Sequence, residues 1–279
     1  MGILYLVATP IGNLEDMSYR AIRTLKEVDY IAAEDTRHTI KLLNHYEIHK
    51  TMTSYHEHNK QQKGPDILRD LIEGKNIALV TDAGTPGISD PGEDLVILCQ
   101  EAGIPVTSIP GPVALINGLI LSGMDTRRFV YEGFLPVGKK ERAERLQDLT
   151  NETRTMIFYE APHRLKAFLN EVTTFFGGDR EVVITRELTK KFEEVLKWTL
   201  NEAIEYYKSN DPRGEYVLII AGCPLEQVKS KENTLYEALT LEDHLQHYLN
   251  QGMNKKDAIK AIAKDRDKPK REIYQYFID

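Results

Sequence analysis

A chain of 279 residues, 41% of them apolar, is long enough for two domains and rich enough for packed cores. Its formal net charge of −7 excludes a polycation, so any nucleic-acid binding has to come from local basic patches. No run reaches the roughly 18–20 apolar residues of a membrane span, and the opening MGILYLV lacks the basic segment and cleavage site of a signal peptide.

The first half alternates strand and helix. Residues 3–8 read as a strand, 18–26 as a helix, 30–33 as a short strand and 36–45 as a helix. A helix over 60–73 ends at Gly74, which suits a left-handed cap. Strand 77–80, a loop, a helix to Ala102 and strand 105–109 follow. Pro110-Gly111-Pro112 then breaks the chain before an apolar helix over 113–121. This alternation predicts a parallel sheet covered by helices on both faces.

A second unit opens with strand 129–134. Strands at 155–159, 181–186, 195–199 and 216–220 follow, with helices at 140–149, 164–176 and 201–208. The closer strand spacing predicts a mixed sheet with antiparallel pairs. From Leu225 the chain turns polar and helical. Leu241, Leu245, Tyr248 and Leu249 keep helical spacing up to Gly252. Asn254 caps a helix with Ile259, Ile262 and Ala263 on one face, and Pro269 enters the first turn of a third, with Ile273 and Phe277 inward. The predicted architecture is α/β: a parallel-rich domain at 1–123, a mixed-sheet domain at 124–224 and a helical tail at 225–279. The tail is either a solvated cap or a helix-turn-helix unit whose Lys268, Lys270 and Arg271 contact nucleic acid. Cys99 and Cys223 sit in apolar surroundings without metal-ligand spacing, as reduced core residues of a cytosolic protein do, and no metal site is expected.

The loop from Asp82 to Gly92 carries the most chemistry. Gly84, Gly87 and Gly92 with Pro86 and Pro91 exclude a helix or strand interior. A rigid loop at the carboxyl end of a parallel strand lies where open α/β sheets bind ligands. Asp82, Thr85, Ser89 and Asp90 supply polar groups for a small cofactor held largely by main-chain atoms; the alternative is a tight turn with helix caps. Thr9-Pro10-Ile11-Gly12-Asn13 is a second Gly/Pro turn at the same sheet edge. Neither G-x-G-x-x-G nor G-x-x-x-x-G-K-[ST] occurs, which argues against a phosphate-cradled cofactor.

Three further segments follow strands. Glu34-Asp35-Thr36-Arg37 either caps the next helix, with Arg37 paired to Glu34, or forms a polar cluster for a ribose or phosphate. Tyr159-Glu160-Ala161-Pro162-His163-Arg164 sets His163 and Arg164 in a helix's first turn, an end that favours anions; a lone histidine there is more often structural. Arg186-Glu187-Leu188-Thr189-Lys190-Lys191 is either a surface turn or a phosphate-binding segment that brings Glu187 near a reacting alcohol.

Eight segments resemble one family in order along residues 1–222. They are LYLVATPIGNLED (4–16), AAEDTRHT (32–39), VTDAGTPGISDPG (80–92), IPGPVALINGLILSG (109–123), YEGFLP (131–136), YEAPHR (159–164), RELTKKFEE (186–194) and GEYVLIIAG (214–222). The chain resembles the tetrapyrrole methylase superfamily of S-adenosylmethionine-dependent methyltransferases, in its ribosomal RNA branch. Many members carry Gly-Asp-Pro where this chain has Ser89-Asp90-Pro91; the ribosomal branch is similar to this chain instead.

The resemblance implies 2′-O-methylation of a cytidine ribose in the decoding region of 16S ribosomal RNA, within the small ribosomal subunit. It also implies a cytoplasmic homodimer with the cofactor in the cleft between two α/β domains. The competing readings are C-methylation of a tetrapyrrole and a non-catalytic RNA-binding assembly factor. By resemblance, Asp90 and the backbone of Ile88, Ser89 and Pro91 hold the methionine end of the cofactor. Asp82, Gly84, Thr85 and Pro86 complete that loop, with Pro10 beside it. Pro110, Gly111, Pro112 and Ala114 line the other side, and Phe158, Tyr159, Ile220 and Ala221 contact adenosine. A ribose hydroxyl is a weak acid, so a base would help, and Glu34, Asp35 and Glu187 are the candidates. Arg37, Arg164, Arg186 and Lys190, with His163, would clamp RNA phosphates. The tail from Leu225 lies outside the resemblance.

Overall fold

The protein is described by a computed structural model over residues 1–228, 239–266 and 268–277. The parts of the expected tail at 229–238, 267 and 278–279 lie outside the described residues. The chain forms two compact units, Met1–Gln147 with Arg154–Ala221, and Asp148–Thr153 with Gly222–Asp279.

The first unit holds two sheets. The first is built from β1 (Leu4–Val7), β2 (Tyr30–Ala33), β3 (Met52–Ser54), β4 (Ile77–Val80) and β5 (Val106–Ile109) in the order β3-β2-β4-β1-β5. Every pair is parallel. Helices α1 (Tyr19–Glu27), α2 (Thr36–His45), α3 (Lys60–Ile72), α4 (Glu93–Glu101) and α5 (Ala114–Ser122) occupy the connections and the chain that follows. All four residues of β4 are buried, as a strand covered on both faces requires. Ser18 caps α1 and Asp35 caps α2 with their side chains. β3 was not legible in the sequence, because Met-Thr-Ser is too short and too polar to stand out.

The second sheet is mixed, as its strand spacing predicts. It comprises β6 (Phe129–Gly133), β7 (Thr155–Glu160), β8 (Glu181–Arg186), β9 (Glu194–Thr199) and β10 (Tyr216–Ile220), in the order β6-β7-β10-β8-β9. Only β6 and β7 run parallel; the other neighbours are antiparallel. Helices α6 (Lys139–Leu149), α7 (Pro162–Phe176) and α8 (Leu200–Ser209) accompany it. α7 starts two residues before its expected start because Pro162 takes the first helical position, where a missing N–H is harmless. α5 packs on this sheet: Leu115 and Leu119 share a core with Ile157, Val183, Val217 and Ile219.

The second unit contains α9 (Leu241–Asn250), α10 (Lys255–Asp265) and α11 (Lys270–Tyr276). Ile259, Ile262, Ala263 and Ile273 form its core, with Leu241, Leu245, Tyr248 and Phe277 against it. Asn254 caps α10 as expected, whereas Pro269 stands at the cap position before α11 rather than in its first turn. Among the described residues no helix is long and apolar enough to cross a membrane, and no cluster of His, Cys, Asp or Glu is arranged to hold a metal.

Candidate cofactor cavity

The parallel strands deliver their carboxyl ends to one edge, and the loops there are locked together. Thr9 and Gly84 exchange main-chain hydrogen bonds of 2.8 and 3.1 Å. The Thr9 hydroxyl also donates to the Thr81 carbonyl at 3.2 Å. The Thr85 hydroxyl donates to the Pro112 carbonyl at 3.1 Å, which ties the loop after β4 to the break before α5. Gly84 sits at φ +84°, a left-handed conformation that glycine adopts without a Cβ clash.

A cavity of about 340 Å³ lies against this loop, within the range of small-molecule sites. One wall is Ala83, Gly84, Thr85, Ile88, Ser89 and Asp90, with Ile11 beside them and Val113 and Ala114 at the start of α5. The other wall comes from the second sheet and its loops: Phe134, Tyr159, Glu160, Ala161, Pro162, Leu188, Glu215, Tyr216 and Val217. Two tyrosines join the walls. The Ser89 hydroxyl and the Tyr131 phenol hydrogen-bond at 2.6 Å, and the Leu115 amide donates to the Tyr159 phenol oxygen at 3.0 Å. The Tyr159 ring meets Tyr131 edge-on at 5.3 Å and Phe134 at 5.7 Å. Ser89 itself is held at φ +61°, strained for a residue with a side chain.

Asp90 is the charged group of the loop's inner face. Burial pushes its carboxyl up to about 7, and the nearby Glu34 and Asp82 carboxylates push the same way. Burial of a carboxyl disfavours its charged form, and a positively charged ligand would favour it. No lysine or arginine lines the cavity among the described residues. These features fit a cationic cofactor without phosphate, such as S-adenosylmethionine with its sulfonium and ammonium groups. Asp90 would face a positive group, the 82–92 backbone would hold the polar end, and the aromatic and aliphatic wall would take the flat base.

The structure brings together Gly84, Thr85, Ile88, Ser89, Asp90, Ala114 and Tyr159 of the expected cofactor residues. Pro10, Asp82, Pro86, Pro91, Pro110, Gly111 and Pro112 are not among the lining residues; they shape the turns around the cavity. Phe158, Ile220 and Ala221, the expected adenosine contacts, also lie outside the lining. Phe158 is fully buried on the opposite face of β7 and packs on Phe168 at 5.4 Å. β10 runs antiparallel to β7, so Ile220 pairs with Met156 at the start of β7, whereas Tyr216 pairs with Glu160 beside the cavity. Ala221 bonds to Glu181 at the far end of the sheet. Tyr216 and Val217 were missed because only strand pairing brings them to the wall, and Leu188 because it reaches the wall from the turn after β8.

The family model described as Tetrapyrrole (Corrin/Porphyrin) Methylases matches residues 3–204. The chain belongs to the tetrapyrrole methylase family. It is 49% identical over 279 residues to the protein of Synechocystis sp. named ribosomal RNA small subunit methyltransferase I, covering 100% of this chain and 98% of that one. The Bacillus subtilis protein of the same name is 50% identical over 277 residues, 99% of this chain and 94% of that one. Among solved structures, the methyltransferase CobJ superposes with a TM-score of 0.61 at 16% identity, covering 80% of this chain and 95% of that one. Uroporphyrin-III C-methyltransferase from Thermus thermophilus, complexed with S-adenyl homocysteine, gives a TM-score of 0.57 at 17% identity over 79% of this chain and 97% of that one. At such identities the two structures establish the tetrapyrrole methylase fold.

The expected bases and RNA contacts of this tetrapyrrole methylase are dispersed. Glu34 is half-buried, and burial raises its carboxyl although the Asp82 amide donates to it at 3.2 Å. Arg37 pairs with Asp35, at 2.8 Å, rather than with Glu34. Asp35 already turns its carboxylate to the Arg37 amide to cap α2, which leaves its second oxygen facing the guanidinium. The hydrogen bonds from Arg37 lower the Asp35 carboxyl to about 2, which makes it a poor base. Burial pushes Glu187 up, but Lys190 and the Glu215 amide outweigh it and leave the carboxyl lowered. Glu187 is committed to Lys190 at 2.9 Å and to the Glu215 amide at 3.1 Å, so it braces a turn. Lys190 also reaches Glu215, Arg186 reaches Glu194 at 3.0 Å, and Arg164 is tied to Glu160 and the Leu135 carbonyl. His163, Lys268, Lys270 and Arg271 are exposed.

Proposed function

We propose that this chain methylates ribosomal RNA with S-adenosylmethionine as donor, at the 2′-hydroxyl of a cytidine in the decoding region of 16S ribosomal RNA within the small ribosomal subunit. The observation that carries this reading is near-50% identity over the full length to proteins named ribosomal RNA small subunit methyltransferase I. The cavity supports it: Asp90, whose carboxyl is raised by burial, shares a lining with an apolar wall at the carboxyl ends of parallel strands. When bound, the cofactor supplies an electrophilic methyl carbon. The protein then acts by positioning, for which a rigid Gly/Pro loop is suited.

In this reading, residues 1–123 supply the cofactor loop, 124–224 the opposite wall, and 225–279 a basic RNA contact through Lys268, Lys270 and Arg271. The protein works in the cytoplasm as a homodimer; α5 exposes Ile116, Ile120 and Leu121, an apolar strip that a second copy would cover. Small ribosomal subunits lacking the modification, incubated with methyl-labelled cofactor and digested to nucleosides, should yield labelled 2′-O-methylcytidine. Label confined to a corrinoid or porphyrinoid product, or no binding of the cofactor in calorimetry, would overturn the reading.

A further inference from the structure

A second cavity, of about 270 Å³, opens at the edge formed by the ends of β2 and β3. It is lined by Glu34, Asp35, Arg37, Ser54, His56 and His58, none of which lines the cofactor cavity. The segment that carries the histidines is fixed. Asn59 accepts from the His56 amide at 2.8 Å and donates to the Ser54 carbonyl at 3.2 Å and the Ser54 hydroxyl at 3.1 Å. His56 Nδ1 is buried without a hydrogen-bond partner, an uncommon state for a polar atom in a folded protein. His56 also stands near enough to Glu34 for a charged imidazole to favour the carboxylate. Glu34 in turn accepts from the Asp82 amide, the first residue of the cofactor loop. One carboxylate therefore touches the loop of one cavity and neighbours the imidazole of the other.

We propose that this second cavity seats the acceptor nucleotide, and that His56 is a catalytic residue that contacts the ribose hydroxyl and takes up its proton, with Glu34 as positioning residue. The inference rests on the RNA methyltransferase reading. The hydroxyl proton passes to the imidazole. The electron pair freed on oxygen forms the bond to the methyl carbon, and the carbon–sulfur pair stays on the donor's sulfur, which loses its positive charge. The imidazolium afterwards releases the proton to solvent. The carboxylates suit the task less well: Asp35 is paired with Arg37, and Glu187 with Lys190.

The test compares wild type with H56Q and H58Q. H56Q should bind S-adenosylmethionine in calorimetry as wild type does, which also shows that it folds. Its single-turnover methylation of small subunits should fall at least about 100-fold, the range of a lost general base. H58Q, which alters the other histidine of the same lining, should lose far less. Without cofactor, a cytidine-containing RNA oligonucleotide of the decoding-region sequence should shift the His56 imidazole resonances in NMR and leave those of His45, at the far end of α2, in place. A wild-type-like rate in H56Q, or no RNA-induced shift at His56, would overturn the inference while the activity stands. A wild-type protein that labels no ribosomal RNA would overturn the activity itself.

Discussion

The Tyr159 phenol oxygen accepts the Leu115 amide at 3.0 Å, so a side chain from the second sheet caps the helix that begins beside the cofactor loop. Val113, at the cap position of α5, offers no side-chain acceptor of its own. The first amides of a helix have no partner within it, and here Tyr159 fills that role while its ring lines the cavity. Tyr159→Phe keeps the ring and removes the acceptor. It should destabilise the protein by about 1–2 kcal/mol, seen as a lowered Tm, and weaken cofactor binding in calorimetry. An unchanged Tm would separate the cap from stability.

Asp90 gives the protein a specific pH response. Its folded carboxyl is raised to about 7, above the ordinary aspartate value of 3.8. Between those two values the folded state holds a proton that the unfolded chain releases, so this group's contribution to stability falls as pH rises from about 4 to about 7. A cationic cofactor favours the ionised form. Its binding near pH 6 should therefore release a proton, and affinity should climb as pH rises through 7. Calorimetry in buffers of different ionisation enthalpy measures that proton. Asp90→Asn should abolish both the release and the pH dependence, and weaken binding by about 10–100-fold, as loss of a charge-assisted contact does. Proton release that persists in Asp90→Asn would remove Asp90 from the cofactor's contacts.

The parts of this site that were readable in the sequence are those with a local signal. The run Ile77-Ala78-Leu79-Val80 is apolar at every position, and the glycines and prolines after it exclude regular structure, so β4 and its loop stood out. Tyr216 and Val217 had no such signal, because their place in the wall follows from the antiparallel register of β7 with β10, and Leu188 reaches the wall from the turn after β8. The same register sends Ile220 to the far end of the sheet. His56 stayed hidden for another reason: it follows a three-residue strand of Met-Thr-Ser, whose polarity reads as loop. The partner of Arg37 was also beyond the sequence, because it depends on how the Asp35 carboxylate turns to cap α2.

Close approach of two loops makes Gly111 sensitive to substitution. A Cβ added there would lie 2.7 Å from the Ala8 Cβ, which is fixed to its backbone and is not the far end of a flexible side chain that can move aside. Gly111→Ala forces the break before α5 away from the end of β1, a form of overpacking that costs about 1–3 kcal/mol. The Thr85 hydroxyl bonded to the adjoining Pro112 carbonyl would shift with it. Gly111→Ala should lower the Tm and weaken cofactor binding together. A lowered Tm with unaltered cofactor affinity would show that the two loops move independently.

The helices of the second unit offer an electrostatic test of RNA contact. Lys270 and Arg271 are exposed at the start of α11, while Lys268 is held by Glu272 at 2.6 Å. Unpaired surface cations carry little stability, so reversing them should leave the Tm nearly unchanged. Phosphate contacts release counterions, and each one lost reduces the slope of log affinity against log salt by roughly 0.7–0.9. Lys270→Glu with Arg271→Glu should therefore weaken RNA binding and flatten that slope by about 1.5 in filter-binding titrations across salt. Lys268→Glu would place two carboxylates together with Glu272 and should lower the Tm slightly as well. A salt slope unchanged by the double reversal would make α11 a structural element without phosphate contacts.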